Sequence, residues 1–247
     1  MPIALRDFFK RAARLLWGLL TSGEQRFLFA YRRWASARAP YRSQHGQDWW
    51  VDRRLREKRG GFFLDLAAAD GGWISNTHFL EKARGWSGIC IEPNPQMFAK
   101  LQRVRGAHCV KRCVSDRREP VTFLVDAGVV GGIVAADTDN KPETTGGTLV
   151  TMDACSLTEL LDELRAPQFI DYFSLDVEGS EDRVIRGLDL QRYHFGLITV
   201  ERPSEFVDGT LRANGYIRVR RVAADIFYEN RNLKQFLSPE SLRSQPQ

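Results

Sequence analysis

Apolar residues recur at two spacings along this chain, and from residue 61 onward the two spacings take turns. Short, nearly continuous apolar runs at Phe62–Leu66, Gly88–Glu92, Ala107–Val114, Val121–Val125, Tyr172–Val177 and Leu197–Glu201 predict strands. Between them, helical spacing falls over Ile74–Lys82, Pro95–Arg103, Ser156–Leu164 and Ser180–Gly187. Alternation of this kind predicts an α/β fold, a doubly wound and mostly parallel sheet. Near the end, "YIRVRRV" and "DIFYEN" read as two strands joined by Ala223-Ala224, which adds antiparallel pairing. The segment from Asp126 to Gly147 is rich in Gly, Asp and Thr and reads as a long loop, a candidate lid.

Ahead of the alternating region the pattern differs. Leu5, Phe8, Phe9, Ala12, Leu15, Leu16, Leu19 and Leu20 fall on one helical face, with Arg6, Lys10, Arg11 and Arg14 largely opposite. This predicts a basic amphipathic helix ending near Thr21-Ser22-Gly23, without the cleavage pattern of a signal peptide. It suits either an anionic membrane face or packing against protein, and both readings stay open. A second basic, aromatic stretch, "RFLFAYRRWASARAPYR", predicts another helix stopping before Pro40. The expected organisation is a helical extension over residues 1–40, a domain over 41–232, and a polar tail over 233–247 that closes on the disorder-prone "SPESLRSQPQ".

Composition narrows the class. With 43% hydrophobic residues in 247, the chain can bury one sizeable core. Of the net charge of +5, residues 1–59 hold 14 Lys/Arg against 5 Asp/Glu, or +9, which leaves −4 for the remainder. The basic character therefore belongs to the N-terminal region, and a nucleic-acid partner is disfavoured. Four cysteines show no CxxC pair and no Cys/His ligand spacing, which fits a reducing, cytoplasmic setting. No apolar run approaches bilayer-spanning length, so any membrane contact is expected to be peripheral, at the inner face.

Chemistry is expected at the carboxyl ends of the strands. Glu92 closes the apolar run "GICI", 27 residues beyond Asp65, and an acid there can accept the hydroxyls of a ribose. The loop "LDLAAADGG" lacks the G-x-G-x-x-G that close approach to a pyrophosphate demands, which disfavours a nicotinamide oxidoreductase. A nucleoside cofactor without pyrophosphate needs only small residues there, and Asp65 or Asp70 could meet its ammonium group. In "SLDVEGSE", Asp176 and Glu178 are two apart at a strand end and share a face, and Glu201 ends the next apolar strand. Such carboxylates could act as a general base or hold a divalent cation. The cation is the disfavoured option, because no further His or carboxylate clusters nearby in sequence. His45 and His78 are weaker candidates.

The set "SQHGQD", "GGFFLDLAAADGGWISNTHFLEKARGWSGICIEPNP", "CVSD", "IDYFSLDVEGSEDRVIRG" and "ITVERP" resembles, in family order, the FkbM-type S-adenosylmethionine-dependent methyltransferases. The resemblance implies a class I methyltransferase fold, Rossmann-like, with a seven-stranded sheet and a C-terminal antiparallel hairpin. It also implies S-adenosyl-L-methionine as cofactor and O-methylation, often of sugar hydroxyls. On the matching positions, Asp65, Ala67, Asp70 and Gly71 belong to the methionine-binding loop, with Ala67 standing where relatives usually have glycine. Glu92 matches the ribose ligand, and Ser115 falls at the expected adenine pocket. Asp176 and Glu178 match an acidic D-x-E-G motif beside the transferring methyl group. Gln44, Gln47 and Asp48 match an N-terminal motif that closes over the cofactor.

The expectation is an O-methyltransferase acting on a sugar, glycan or glycosylated metabolite, with Asp176, Glu178 and Glu201 as catalytic residues. A different class also fits: a catalytically silent methyltransferase fold serving as an interaction module at a membrane surface. Donor binding without turnover would identify it.

Overall fold

The structure is a computed structural model that describes residues 41–125, 131–136, 138 and 147–237. The chain divides between Ala39 and Pro40, and the described residues all belong to the second unit. The helices expected before Pro40, most of the loop expected between Asp126 and Gly147, and the segment from residue 238 onward lie outside the described residues.

Helix α1 (Gln47–Arg54) precedes β1 (Phe62–Leu66), followed by α2 (His78–Arg84), β2 (Ser87–Ile91), α3 (Pro95–Val104) and β3 (His108–Val110). Three strands come next: β4 (Cys113–Ser115), β5 (Glu119–Val125) and β6 (Thr148–Ser156). Helix α4 (Leu157–Glu163) then returns the chain to β7 (Phe169–Leu175), α5 (Glu181–Arg186) and β8 (His194–Glu201). Helix α6 (Glu205–Ala213), the hairpin β9 (Tyr216–Val222) and β10 (Asp225–Asn230), and a 3-10 turn at Leu233–Leu237 complete the domain.

Seven strands form one sheet in the order β3-β2-β1-β7-β8-β10-β9. Pairing is parallel from β3 through β8, and β10 runs antiparallel to both β8 and β9. The mostly parallel Rossmann-like sheet with its C-terminal hairpin is thus present. Almost every residue of β1, β7 and β8 is buried, so the central sheet is covered on both faces. Leu64, Phe173, Ile198 and Val200 sit in that core, each stabilising the fold by about 1.5–3 kcal/mol. Beside them Gly88 pairs in register with Phe63, and a Cβ on Gly88 would lie 2.5 Å from the Phe63 ring.

The structure departs from the expected elements in four places. The run Ala107–Val114 is two strands: β3 joins the main sheet, while β4 pairs with β6 in a separate three-stranded sheet, β4-β6-β5. The helix expected from Ile74 starts at His78, because Ile74 is left-handed (φ +47°) and Ser75 Oγ caps the N–H groups of Thr77 and His78. Strand β6 and helices α1 and α6 were not expected at all. Finally, residues 233–237, expected to open a polar tail, form a 3-10 turn that packs on the domain. Leu233 and Phe236 are buried, and the Phe236 carbonyl accepts a 3.0 Å bond from Lys58, whose Nζ also pairs with Asp171 at 2.7 Å.

Candidate active site

The chain leaves β1 and β7 in opposite directions, β2 and β3 lying beyond one and β8 beyond the other. The crevice outside the carboxyl ends of such a strand pair is the natural ligand site of an open α/β sheet. A cleft opens there, lined among others by Asp65, Ala67, Glu92, Asp176, Glu178 and Glu201.

The loop after β1 is held by its backbone. The N–H groups of Ala67 and Ala68 both reach the Ile91 carbonyl at 3.0 Å, and Ala69 N–H donates to Glu92 Oε2 at 2.8 Å. The other oxygen of Glu92 accepts from Asn94 N–H at 2.8 Å. Glu92 therefore pins the loops after β1 and β2 together from inside the cleft. Burial pushes its carboxyl up to about 7, although both N–H bonds favour the charged form. Ala67 (φ +66°) and Ala69 (φ +49°) occupy left-handed positions better suited to glycine. Next to Glu92, Met97, Val114, Phe123 and Ile133 give the cleft an apolar flank. Ile133 belongs to the expected loop, and its bridge to Phe123 runs antiparallel along β5.

Asp65 lines the cleft but is also structural. Its Oδ2 accepts from Thr77 Oγ1 at 2.5 Å and lies 3.8 Å from Arg105 Nη1. Burial raises its carboxyl, and Arg105 opposes the shift. Arg105, itself buried, also holds Thr77 at 2.9 Å and Glu81 at 2.6 Å, fixing the loop onto α2.

On the β7 side the carboxylates converge. One oxygen each from Asp176, Glu178 and Glu201 lie within 4.8 Å of one another. A fourth carboxyl, Asp225, pairs with Glu201 in the β10–β8 register. Burial first, then Glu201 and Glu178, push the Asp176 carboxyl well above its ordinary range. Asp176 Oδ1 has no hydrogen-bond partner among the described residues. Burial, then Glu201, pushes Asp225 up to about 7. Among the described residues a cation meets the group: Arg202 Nη2 lies 2.9 Å from Glu178 Oε2 and 3.1 Å from Glu201 Oε2. Glu181 Oε1 accepts from the N–H of Val177 at 3.1 Å and of Gly179 at 3.4 Å, shaping the loop that carries Glu178.

Several expected site residues are placed elsewhere. Gln44 lines the cleft, but Gln47 is buried, donating to Asp225 Oδ2 at 2.6 Å and accepting from His45 N–H at 2.9 Å. Gln47 thus positions Asp225 and is not a cleft residue. Asp48 is buried and anchors residues 42–43, accepting from Arg42 N–H at 2.7 Å and Ser43 N–H at 3.2 Å. Asp70 caps its own turn, its Oδ1 accepting from Gly72 and Trp73 N–H at 2.9 Å each. Gly71 (φ +74°) serves packing, since a Cβ there would stand 2.5 Å from Leu101 Cδ1. Ser115 is fully buried with its hydroxyl 3.1 Å from Asp116 Oδ1, and its neighbours Cys113 and Val114 line the cleft instead. His45 and His78 are not lining residues either, and burial lowers the His78 imidazole to about 4.

Sequence reasoning missed Asp225, Arg202, Ser180 and Trp73. Ser180 lines the cleft, is 1% exposed and leaves Oγ without a partner among the described residues. Trp73, 63% exposed, stands on the rim. Asp225 could be found only from strand register, which no local motif carries, whereas Arg202 lies in "ITVERP" directly after Glu201.

Residues 65–218 match the methyltransferase FkbM domain. Among solved structures, the chain is similar to a methyltransferase FkbM from Methylobacillus flagellatus KT, at 14% identity and a TM-score of 0.43 over 69% of this chain and 43% of that one. It therefore spans less than half the length of that protein. It is also similar to a precorrin-6y C5,15-methyltransferase from Geobacter metallireducens GS-15, at 11% identity and a TM-score of 0.43 over 76% of this chain and 88% of that one. A TehB-like SAM-dependent methyltransferase from Corynebacterium glutamicum ATCC 13032 Kitasato aligns at 10% identity with a TM-score of 0.41, over 84% and 97% of the two chains. No curated protein matches the chain. With the domain match covering more than half of its residues, the chain belongs to the FkbM methyltransferase family.

Proposed function

We propose that the protein is an S-adenosylmethionine-dependent O-methyltransferase acting on a hydroxyl of a sugar, glycan or glycosylated metabolite. The observation that carries this reading is a single cleft with Glu92 on the β2 side and Asp176, Glu178 and Glu201 on the β7–β8 side. The residues suit the donor. Glu92 can accept ribose hydroxyls, the apolar flank at Met97, Val114, Phe123 and Ile133 suits adenine, and the alanines leave no cradle for a pyrophosphate. When bound, the cofactor supplies an electrophilic methyl group.

The chain's own task is the proton. A hydroxyl attacking in line must lose its proton as the new C–O bond forms, and in this reading Glu178 and Glu201, clustered with Asp176 in the cleft, receive it. Asp176, whose carboxyl burial and then Glu201 and Glu178 push up, lines the cleft beside them and helps orient the acceptor. Arg202 offsets the charge that the two glutamates carry.

Calorimetry with S-adenosylmethionine and with NAD tests the donor. Binding of the first alone is expected, and Glu92→Ala should weaken it by about 1–3 kcal/mol through lost charged hydrogen bonds. Methyl tracing in cells with and without the protein tests the acceptor. Alkali-stable label on a sugar supports the ether product, and label on nitrogen or on a base-labile ester would overturn it.

A further inference from the structure

A bulge in the edge strand turns two arginines toward the rim of the acidic site. Strand β9 pairs with β10 through Tyr228↔Arg218 on one side of Val219 and Phe227↔Arg220 on the other, leaving Val219 without a partner. In a regular strand, residues three apart face opposite sides of the sheet. The extra residue reverses the phase. Arg218 and Arg221 thus stand opposite Tyr228 and Ile226, which are two apart and share one face.

On that face the two arginines line a second cleft of about 580 Å³, together with Arg202, Pro203 and Asp208. Arg202 belongs to both places, because it also touches Glu178 and Glu201. The cleft therefore adjoins the carboxylates proposed to receive the acceptor's proton.

Its charge is unbalanced. Among the described residues neither Arg218 nor Arg221 makes an ion pair, and Arg221 spends only Nε, on the Ala223 carbonyl at 3.1 Å. The cleft's carboxylate, Asp208, is already engaged by Tyr228 Oη at 2.8 Å and by Arg212 at 3.6 Å. Planar guanidinium forks match phosphate oxygens bidentately, and two such forks in one cleft exceed what a single carboxylate would use.

We infer that this arginine cleft binds a phosphate or diphosphate group carried by the acceptor, which makes the acceptor a phosphorylated sugar. The inference rests on the methyltransferase reading above for its sugar hydroxyl. The phosphate itself could come from a soluble nucleoside diphosphate-sugar or from a lipid-linked sugar phosphate.

Inorganic pyrophosphate, titrated into the full chain by calorimetry, is the probe. Binding is expected, weakening with added salt. The double variant R218E/R221E should lose affinity by about tenfold or more, while R218K/R221K keeps the larger part. S-adenosylmethionine affinity and melting temperature should stay at wild-type values in both variants. No pyrophosphate binding in the wild type, or unchanged affinity in R218E/R221E, overturns the inference. If the wild type binds pyrophosphate but no S-adenosylmethionine, the methyltransferase reading fails and the anion site stands, so the two failures are distinguishable. Sedimentation with phosphatidylcholine vesicles containing phosphatidic acid separates the sources. A loss specific to R218E/R221E supports a lipid-borne phosphate, and equal sedimentation of both proteins supports a soluble one.

Discussion

Glu178 and Arg202 are paired at 2.9 Å, and both hold left-handed backbone, with φ of +54° and +45°. Each such conformation costs a non-glycine residue about 1–3 kcal/mol and persists where the surrounding structure fixes it. Glu178 lies just past β7 and Arg202 just past β8, so the pair clamps two strand-end loops across the acidic cluster. The strain therefore sits where a carboxylate must be aimed. Glu178→Gln keeps the size and removes the charge. It should lower turnover by roughly 10²–10⁴ with little change in donor affinity. Full activity in this variant would place the proton acceptor elsewhere.

Ala67 shows the same strain for a different reason. Its φ of +66° is a glycine conformation, held by the N–H bond to Ile91. Ala67→Gly removes a steric penalty of about 1–2 kcal/mol and adds back about 0.5–1 kcal/mol of unfolded-chain entropy. A small gain in unfolding free energy, up to about 1 kcal/mol, is expected with donor affinity equal or better. A loss of stability by denaturant titration would mean that the alanine methyl packs against something the loop needs.

Much of the fold was legible because its strands are buried on both faces. Apolar runs such as "FFLDL" and "SGICI" can hardly be anything else, and the terminal hairpin showed as two strand-like runs around the short Ala223-Ala224 connection. Strand β6 escaped because Thr148, Thr151 and Asp153 dilute its apolar signal, and it pairs with β4 and β5 in a sheet apart from the main one. At the site, Glu92, Asp176, Glu178 and Glu201 could be read because strand ends converge by topology. Gln47, Asp70, Gly71 and Ser115 could not. Motif membership does not say whether a polar side chain turns to a ligand or to another part of the protein: Asp70 found neighbouring N–H groups, and Gln47 found His45 N–H and the distant Asp225. Asp225 enters only through pairing between β8 and β10, a relationship spread over distant sequence, whereas Arg202 adjoins Glu201 and gains its role from reaching Glu178 across the two strand ends.

Asp225 should make stability depend on pH. Its folded-state carboxyl titrates at about 7, above the ordinary value of 3.8, chiefly because it is buried. The folded state thus binds a proton that the unfolded state releases, so the contribution to stability is fully present below about pH 4 and is lost as pH rises through 7. Glu92 and Glu181, both at about 7, and Asp48, at about 6, act in the same direction. Melting temperature should therefore fall between pH 5 and pH 8 through these groups. Asp225→Asn, which keeps an acceptor for Gln47, should stabilise the protein by roughly 1–3 kcal/mol at pH 8 and have little effect at pH 5. A pH-independent effect would show that the carboxyl titrates normally.

The basic N-terminal stretch makes a separate prediction. If its helix lies on an anionic membrane, removing residues 1–22 should abolish sedimentation with strongly anionic vesicles and spare donor binding, and salt should weaken the wild-type interaction. A truncated protein that unfolds, or an oligomer that comes apart, would instead assign the segment to packing.

Three carboxylate oxygens within 4.8 Å could also hold a divalent cation, and Arg202 decides between the two arrangements. Its guanidinium already touches Glu178 and Glu201, two of the three acids, so the protein carries its own counter-charge there. A metal ion would have to displace that contact before binding. Chelation should therefore leave turnover and donor affinity unchanged, and added magnesium should do nothing. Arg202→Met supplies the reciprocal experiment. It strips the counter-charge from the cluster, so activity should fall, and magnesium should now restore part of it by taking the vacated place. Chelator-sensitive turnover in the wild type would overturn this assignment and make Asp176, Glu178 and Glu201 metal ligands, with Arg202 displaced in the working enzyme.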